Sequence, residues 1–288
     1  MEDSQFARLL DFLGYSWRGY RRVRKGAKKR VARHMQKLGC RDLVGYLGRL
    51  ATDPEARAEC ERRMAVSISR FFRDLGLWRD LYERVLPELM ARDKSRIAVW
   101  LSGCACGEEV YSLAILVREY ERAKGLSLPA EMIATDMDPV CLKRARRGVY
   151  PAGALRDVDE ERRARWFTPE GDGFAVVPEL GKRIHWHLHN ALTEPPPAKE
   201  LDLVFLRNSL LTYCRAEIAD RPVRRITESL APGGFLVIGA TETLPDWAGS
   251  CLRPYRRSVY RKSVEPGDRR DGISASIRLY PGASPFCA

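Results

Sequence analysis

Residues 100–116, WLSGCACGEEVYSLAIL, hold the residues most able to do chemistry. An apolar run enters Gly103, three small residues follow, and Gly107 opens an amphipathic helix. Such a turn ordinarily offers bare backbone N–H groups to a phosphate at a helix N-terminus. Here Glu108 and Glu109 occupy the first helical turn. They would repel a diphosphate and compete with it for the helix dipole. The G-x-G-x-x-G spacing of dinucleotide sites is absent as well.

A second acid stands at a telling place. The run EMIATDMD reads as a strand ending at Asp136, where a carboxylate can take the ribose hydroxyls of an adenosine ligand. Asp138 is placed to cap the helix that follows. A ligand with an adenosine, no phosphate, and a sulfonium and ammonium for a carboxylate to hold suits this set: S-adenosylmethionine. The pattern excludes phosphate more firmly than it selects the replacement.

Other reactive residues carry weaker signals. Cys104 and Cys106 form a C-x-C inside the tight turn, poor geometry for zinc, and read as small turn-filling side chains. The eight cysteines are scattered and read as reduced thiols. His185, His187 and His189 alternate along RIHWHLHN, which would put them on one strand face. A partly exposed face explains that as well as a metal does, and no metal site is assigned. Residues 18–37 are half Lys or Arg with no acid. They read either as a solvated helix face or as a surface for an acidic partner.

The elements that must position these groups divide the chain in two. Residues 1–63 show helical spacing, with stops at Gly14 and Gly39, and form a basic helical N-terminal domain. From residue 96, buried apolar runs (RIAVWLSG, EMIATDMD, LDLVFLRN, FLVIGATET) alternate with helices ending at Gly125, Gly148 and Pro-Gly-Gly. That alternation predicts an α/β fold with a doubly wound, mostly parallel, Rossmann-like sheet over residues 64–262. A β-hairpin insertion is expected at about 171–190, and a weakly structured Gly/Pro/Ser/Arg-rich tail over 263–288.

Bulk properties agree with a soluble globular protein: 288 residues, 45% hydrophobic, 31% charged and net charge +12. No apolar run reaches the roughly 20 residues of a membrane span. The N-terminus lacks secretory-signal features, so a cytoplasmic location without membrane insertion is expected.

Five segments, SISRFFRD (67–74), GCACGEEVYSLA (103–114), ATDMDPVCLKRARRGVY (134–150), LRNSLLTY (206–213) and LAPGGFLVIGATETL (230–244), follow the order seen in CheR-type methyltransferases. The chain resembles that family from about residue 64 to 262. The resemblance implies a class I methyltransferase fold and methylation of glutamate side chains of chemotaxis receptors with S-adenosylmethionine. It implies cofactor contacts at Ser67 and Ser69 (where the family usually has Asn and Thr), Arg73, Glu109, Asp136, Asn190, Ala191, Arg207 and Asn208, to which the glycine turn itself adds Gly103 and Gly107 as cofactor-binding candidates. Glu109 would hold the methionine portion, and Asn190 with Ala191 would flank the adenine. Three departures mark a divergent member. Thr212 stands where the family has tyrosine, which moves the ring to Tyr213, about 100° around a helix. Val110 replaces a proline, and serines replace Asn and Thr.

Methyl transfer to a carboxylate demands alignment rather than a general base, because the acceptor is already ionised at neutral pH. Arg73 and Tyr213 are the catalytic candidates, Arg73 steering a carboxylate with its planar fork. Its bland alternative is a salt bridge in the interdomain linker. The expected partner is an acidic helical protein substrate docking on the basic N-terminus. Methylation of RNA or a small molecule, or a degenerate cofactor-binding module, are the rival functions. The Asn/Asp-Pro-Pro-aromatic turn of exocyclic-amine methylation is absent from LRNSLL.

Overall fold

The computed structural model describes residues 1–264 apart from 68, 93, 94 and 128. Five helices come first: α1 (Asp3–Leu13), α2 (Trp17–Tyr20), α3 (Arg24–Lys37), α4 (Leu43–Thr52) and α5 (Pro54–Met64). A linker leads to α6 (Leu75–Asp80) and, through a π-helical turn at Leu81–Val85, to α7 (Leu86–Met90). Then β1 (Ile97–Ser102), α8 (Glu108–Lys124), β2 (Ala130–Asp136), α9 (Pro139–Arg147) and β3 (Val149–Pro151) alternate. Next come α10 (Glu160–Trp166), β4 (Phe167–Glu170), β5 (Gly173–Val176) and β6 (Ile184–Leu188). The chain continues with β7 (Leu201–Leu206), α11 (Leu210–Tyr213), α12 (Ala216–Ser229), β8 (Leu230–Ile238), β9 (Leu252–Arg256) and β10 (Val259–Lys262).

Seven strands form one sheet in the order β6-β2-β1-β7-β8-β10-β9. The strands from β6 to β8 pair in parallel, and β10 runs antiparallel to both its neighbours. This is the expected Rossmann-like α/β fold. Every residue of β1 and β7 is buried, as strands covered on both faces must be. One face packs Leu101, Phe205 and Phe235 against α8 and the α6–α7 segment through Ile115, Trp78 and Leu81. The opposite face packs Trp100, Val204 and Leu236 with Val223 and Ile226 of α12 and with Phe6, Leu9 and Tyr46 of the N-terminal helices. The basic helical region therefore shares its core with the sheet.

Local signals explain the helix limits. Gly14, Gly125 and Gly148 each end a helix in the left-handed conformation, where a side chain is strained. Pro139 fills the first turn of α9, and the Asp138 carboxylate accepts from the Val140 N–H at 2.9 Å, the expected cap. Pro-Gly-Gly does not end α12, as the sequence predicted. The helix stops at Ser229, and Leu230–Gly234 already belong to β8, where the register against β7 shifts and Gly233 takes φ 69°.

The expected hairpin at 171–190 is corrected. Strands β5 and β6 do not pair. Strand β5 joins β3 and β4 in a small antiparallel sheet, the tight hairpin being β4–β5. Strand β6 is instead the edge of the large sheet, parallel to β2. A 3₁₀ stretch, Pro178–Arg183, carries the chain from one sheet to the other. Alternation along 184–188 fits either pairing, so the pattern could not choose between them. The tail expected from 263 onward lies, beyond residue 264, outside the described residues.

Candidate active site

Strand order reverses at β1, with β2 on one side and β7 on the other, which opens a crevice beyond the carboxyl ends of the strands. The turn after β1 forms its floor. The N–H groups of Gly103 and Cys104 donate to the Thr135 carbonyl at 2.8 and 2.9 Å, tying the turn to the end of β2. Ala105, at φ 50°, turns its N–H onto Asp136 Oδ2 at 2.8 Å, and the Asp138 N–H donates to Oδ1 at 2.9 Å. Burial pushes the Asp136 carboxyl above its usual range, against the pull of those donors. Asp136 is thus fixed by backbone groups at the crevice wall.

A concave cleft lies there. It brings together six residues expected from the sequence: Gly103, Asp136, Asn190, Ala191, Asn208 and Tyr213. It also holds three that were not expected. Ser102 Oγ, Ser209 Oγ and His189 Nδ1 are buried in its lining with no hydrogen-bond partner. Orphaned buried polar atoms cost free energy unless a ligand meets them. A nucleoside, with many donors and acceptors, fits this lining. Tyr15, Tyr20, Glu61, Ala65 and Val66 from the N-terminal region also line the cleft.

Gly107 does other work. A Cβ there would lie 2.9 Å from Ala145 Cβ and 3.0 Å from both Trp186 and the Tyr150 hydroxyl, at φ 91°. Its place is close packing of the turn against α9 and β6. Cys104 and Cys106 are buried free thiols. His185 pairs with Glu131 at 2.9 Å, and His189 Nε2 bonds the Pro195 carbonyl at 2.8 Å, so the three histidines do not converge.

Glu109, which the resemblance gives to the methionine portion, has a protein partner. Its carboxylate pairs with Arg207, whose guanidinium also holds Asp74 at 2.5 Å. That side chain is 2% exposed, and its Nε has no partner. The neighbouring Glu108 is the unpaired acid: Oε2 is buried without a hydrogen bond, and burial pushes its carboxyl up, with Arg144 opposing.

Glu108 lines a second cleft with Ser67, Ser69 and Arg73. Arg73 sits between two left-handed residues, Phe72 at φ 50° and Asp74 at φ 64°. The Phe72 N–H bonded to Ser112 Oγ at 2.9 Å, and the Arg73 carbonyl bonded to Trp78 Nε1 at 2.8 Å, hold this strained step. The guanidinium is half-buried and makes no ion pair among the described residues, so the linker salt bridge is not observed. Its field reaches Tyr213, opposing the rise that burial imposes on that phenol.

Tyr213 packs on Tyr20 at 5.0 Å between ring centroids, and its carbonyl accepts from the Ser16 N–H at 2.8 Å. Thr212 reaches Glu242 instead, Oγ1 to Oε1 at 2.5 Å. Glu242 Oε2 accepts from the Asn208 N–H at 3.0 Å and the Gly239 N–H at 2.6 Å. It anchors Asn208, itself at φ 51°, beside the cleft. Sequence reasoning missed Glu242, although it is a lone acid just past a buried strand.

Residues 67–252, more than half the chain, match the family model described as CheR methyltransferase, SAM binding domain. The chain belongs to the CheR methyltransferase family. A chemotaxis protein methyltransferase of Listeria innocua is 34% identical over 200 residues, 69% of this chain and 74% of that protein. The putative methyltransferase Cher3 of Pseudomonas putida is 30% identical over 264 residues, 86% of this chain and 92% of its own length. An uncharacterized 104.1 kDa protein of Rhodobacter capsulatus is 34% identical over 259 residues, and the match spans 87% of this chain but 27% of that protein. Among solved structures, N-methyltransferase NodS of Bradyrhizobium japonicum with S-adenosyl-L-homocysteine is 16% identical, covering 66% of this chain and 90% of that one, at TM-score 0.37. CheR family membership makes this an S-adenosylmethionine-dependent methyltransferase. No helix among the described residues is long and apolar enough to cross a membrane.

Proposed function

We propose that this methyltransferase esterifies glutamate side chains of a protein such as a chemotaxis receptor, a reading supported by relatives named chemotaxis protein methyltransferase. The observation that carries this reading is Arg73: an unpaired, half-buried guanidinium on a strained step, lining one cleft and acting on Tyr213 in the other. S-adenosylmethionine, when bound, supplies an electrophilic methyl group on a sulfonium. Asp136 accepts from the ribose hydroxyls, while Ser102, Ser209 and His189 meet the remaining polar atoms of the nucleoside. Glu108 offers its free oxygen to the ammonium, and Glu109 keeps Arg207 in place. Arg73 orients the acceptor carboxylate for in-line attack, its two parallel donors fixing both oxygens. The acceptor is ionised at neutral pH, so no side chain need remove a proton. The basic surface of residues 18–37 draws in an acidic helical substrate. The protein works in the cytoplasm.

Incubating the purified chain with tritiated methyl donor and cell lysate tests the reading. Label on protein that mild base releases as methanol is the expected result. Label on RNA, or on no macromolecule, would refute it.

A further inference from the structure

The second cleft carries more positive charge than cofactor binding uses. Arg70, Arg73, Arg144 and Arg156 all line it, and Glu108 is its one carboxylate. They come from three separate places: the linker before α6, helix α9, and the segment after β3. Only Arg70 is neutralised, by Asp157. Arg73, Arg144 and Arg156 make no ion pair among the described residues, and the latter two are exposed at the rim. Like charges held together from unrelated elements repel one another, so an anion that bridges them is favoured.

The rest of the lining narrows the anion. Ser67, Ser69, Cys106, Pro151, Gly153 and Ala154 complete it. There is no aromatic ring on which a base could stack, as single-stranded nucleic acids require. The buried Glu108 carboxylate at the wall disfavours a compact polyanion. Carboxylates spaced along a peptide suit separated guanidiniums better than clustered phosphates do. We infer that Arg144 and Arg156 form a specificity subsite for a second acidic side chain of the methyl-accepting protein, while Arg73 holds the acceptor carboxylate. This rests on the methyltransferase reading above and extends it: the preferred acceptor glutamate lies in a segment with further acids. Acceptors lacking a second acid lose affinity but not alignment, because Arg73 is a separate side chain on a separate element.

The test uses the full chain saturated with S-adenosyl-L-homocysteine and two fluorescent helical peptides, one with three glutamates and one with two of them changed to glutamine. Fluorescence anisotropy is expected to show about tenfold tighter binding of the three-glutamate peptide. The double variant Arg144→Gln, Arg156→Gln should weaken that peptide about five- to tenfold, leave the other within twofold, and leave homocysteine-product affinity by calorimetry within twofold. A melting curve confirms that the variant is folded. Equal binding of both peptides by the wild type, or no binding of either, would overturn the inference. So would an unchanged affinity in the variant, or tighter binding of single-stranded RNA or tripolyphosphate than of the peptide. A parallel loss of cofactor-product affinity would return the two arginines to the cofactor site. Failure of the wild type to bind S-adenosyl-L-homocysteine would sink the methyltransferase reading itself, a separate outcome.

Discussion

The two clefts are built from different materials. At the strand ends, the wall is backbone and buried neutral groups: the Gly103–Ala105 turn, Asp136 clasped by two N–H donors, and the orphaned hydroxyls of Ser102 and Ser209. Across Glu108, the wall is made of long charged side chains on a linker, a helix and a loop. The first geometry comes with the sheet and cannot be changed without changing β1 and β2. The second rests largely on side chains, Arg144 and Arg156 among them exposed, that can be exchanged one at a time. A shared cofactor with variable acceptors needs that division, because only the acceptor cleft can vary cheaply.

The sharpest way to break the contrast is Arg73, which lines the second cleft while its charge reaches Tyr213 in the first. Arg73→Ala is expected to lower methyl transfer about 100-fold while S-adenosyl-L-homocysteine affinity stays within a few fold. Equal loss in both, by assay and calorimetry, would make Arg73 a structural part of one continuous pocket. On the cofactor side, Asp136→Ala should cost roughly 10- to 100-fold in product affinity by calorimetry, as expected for one charged hydrogen-bonding group. An unchanged affinity would put the ribose elsewhere. Thr212→Val removes the hydroxyl that holds Glu242 and should lower unfolding stability by about 1 kcal/mol in urea titrations. A neutral result would mean that the Asn208 and Gly239 donors suffice.

Glu108 gives the smallest effect and a pH signature. Burial raises its carboxyl, so the stability it contributes is present below the usual glutamate range and lost as pH rises through the raised value. At neutral pH the buried, unpartnered charge is a cost. Glu108→Gln should therefore stabilise the ligand-free protein by about 1 kcal/mol at pH 8 and by less at pH 4, while weakening cofactor binding. Melting curves at the two pH values, run beside calorimetry, check both halves. Greater stability with undiminished binding would separate Glu108 from the cofactor.

Much of the scaffold was legible because local chemistry dictates it. Left-handed glycines ended α1, α8 and α9 where the sequence placed the stops, and the all-apolar runs of β1 and β7 could only be covered strands. Pairing was less legible. Strand β6 alternates as a hairpin arm would, yet its partner is β2, some fifty residues earlier, and nothing in the period names a partner. At the site, acids at strand ends were readable, and Asp136 lines the cleft as a strand-end acid should. Which of two adjacent glutamates is free was not readable. That depends on Arg207 and Asp74, brought together from distant segments. Arg144 and Arg156 were lost among fifty basic residues, because exposure and convergence leave no mark on spacing.

The N-terminal region supplies Tyr15 and Tyr20 to the strand-end cleft and covers Trp100 and Val204 on one sheet face. A fragment trimmed to residues 67–252 would keep every strand-end acid yet leave a broad apolar surface wet and one side of the strand-end cleft missing. The family boundary marks where sequences can be aligned, and it does not mark where this molecule can be cut.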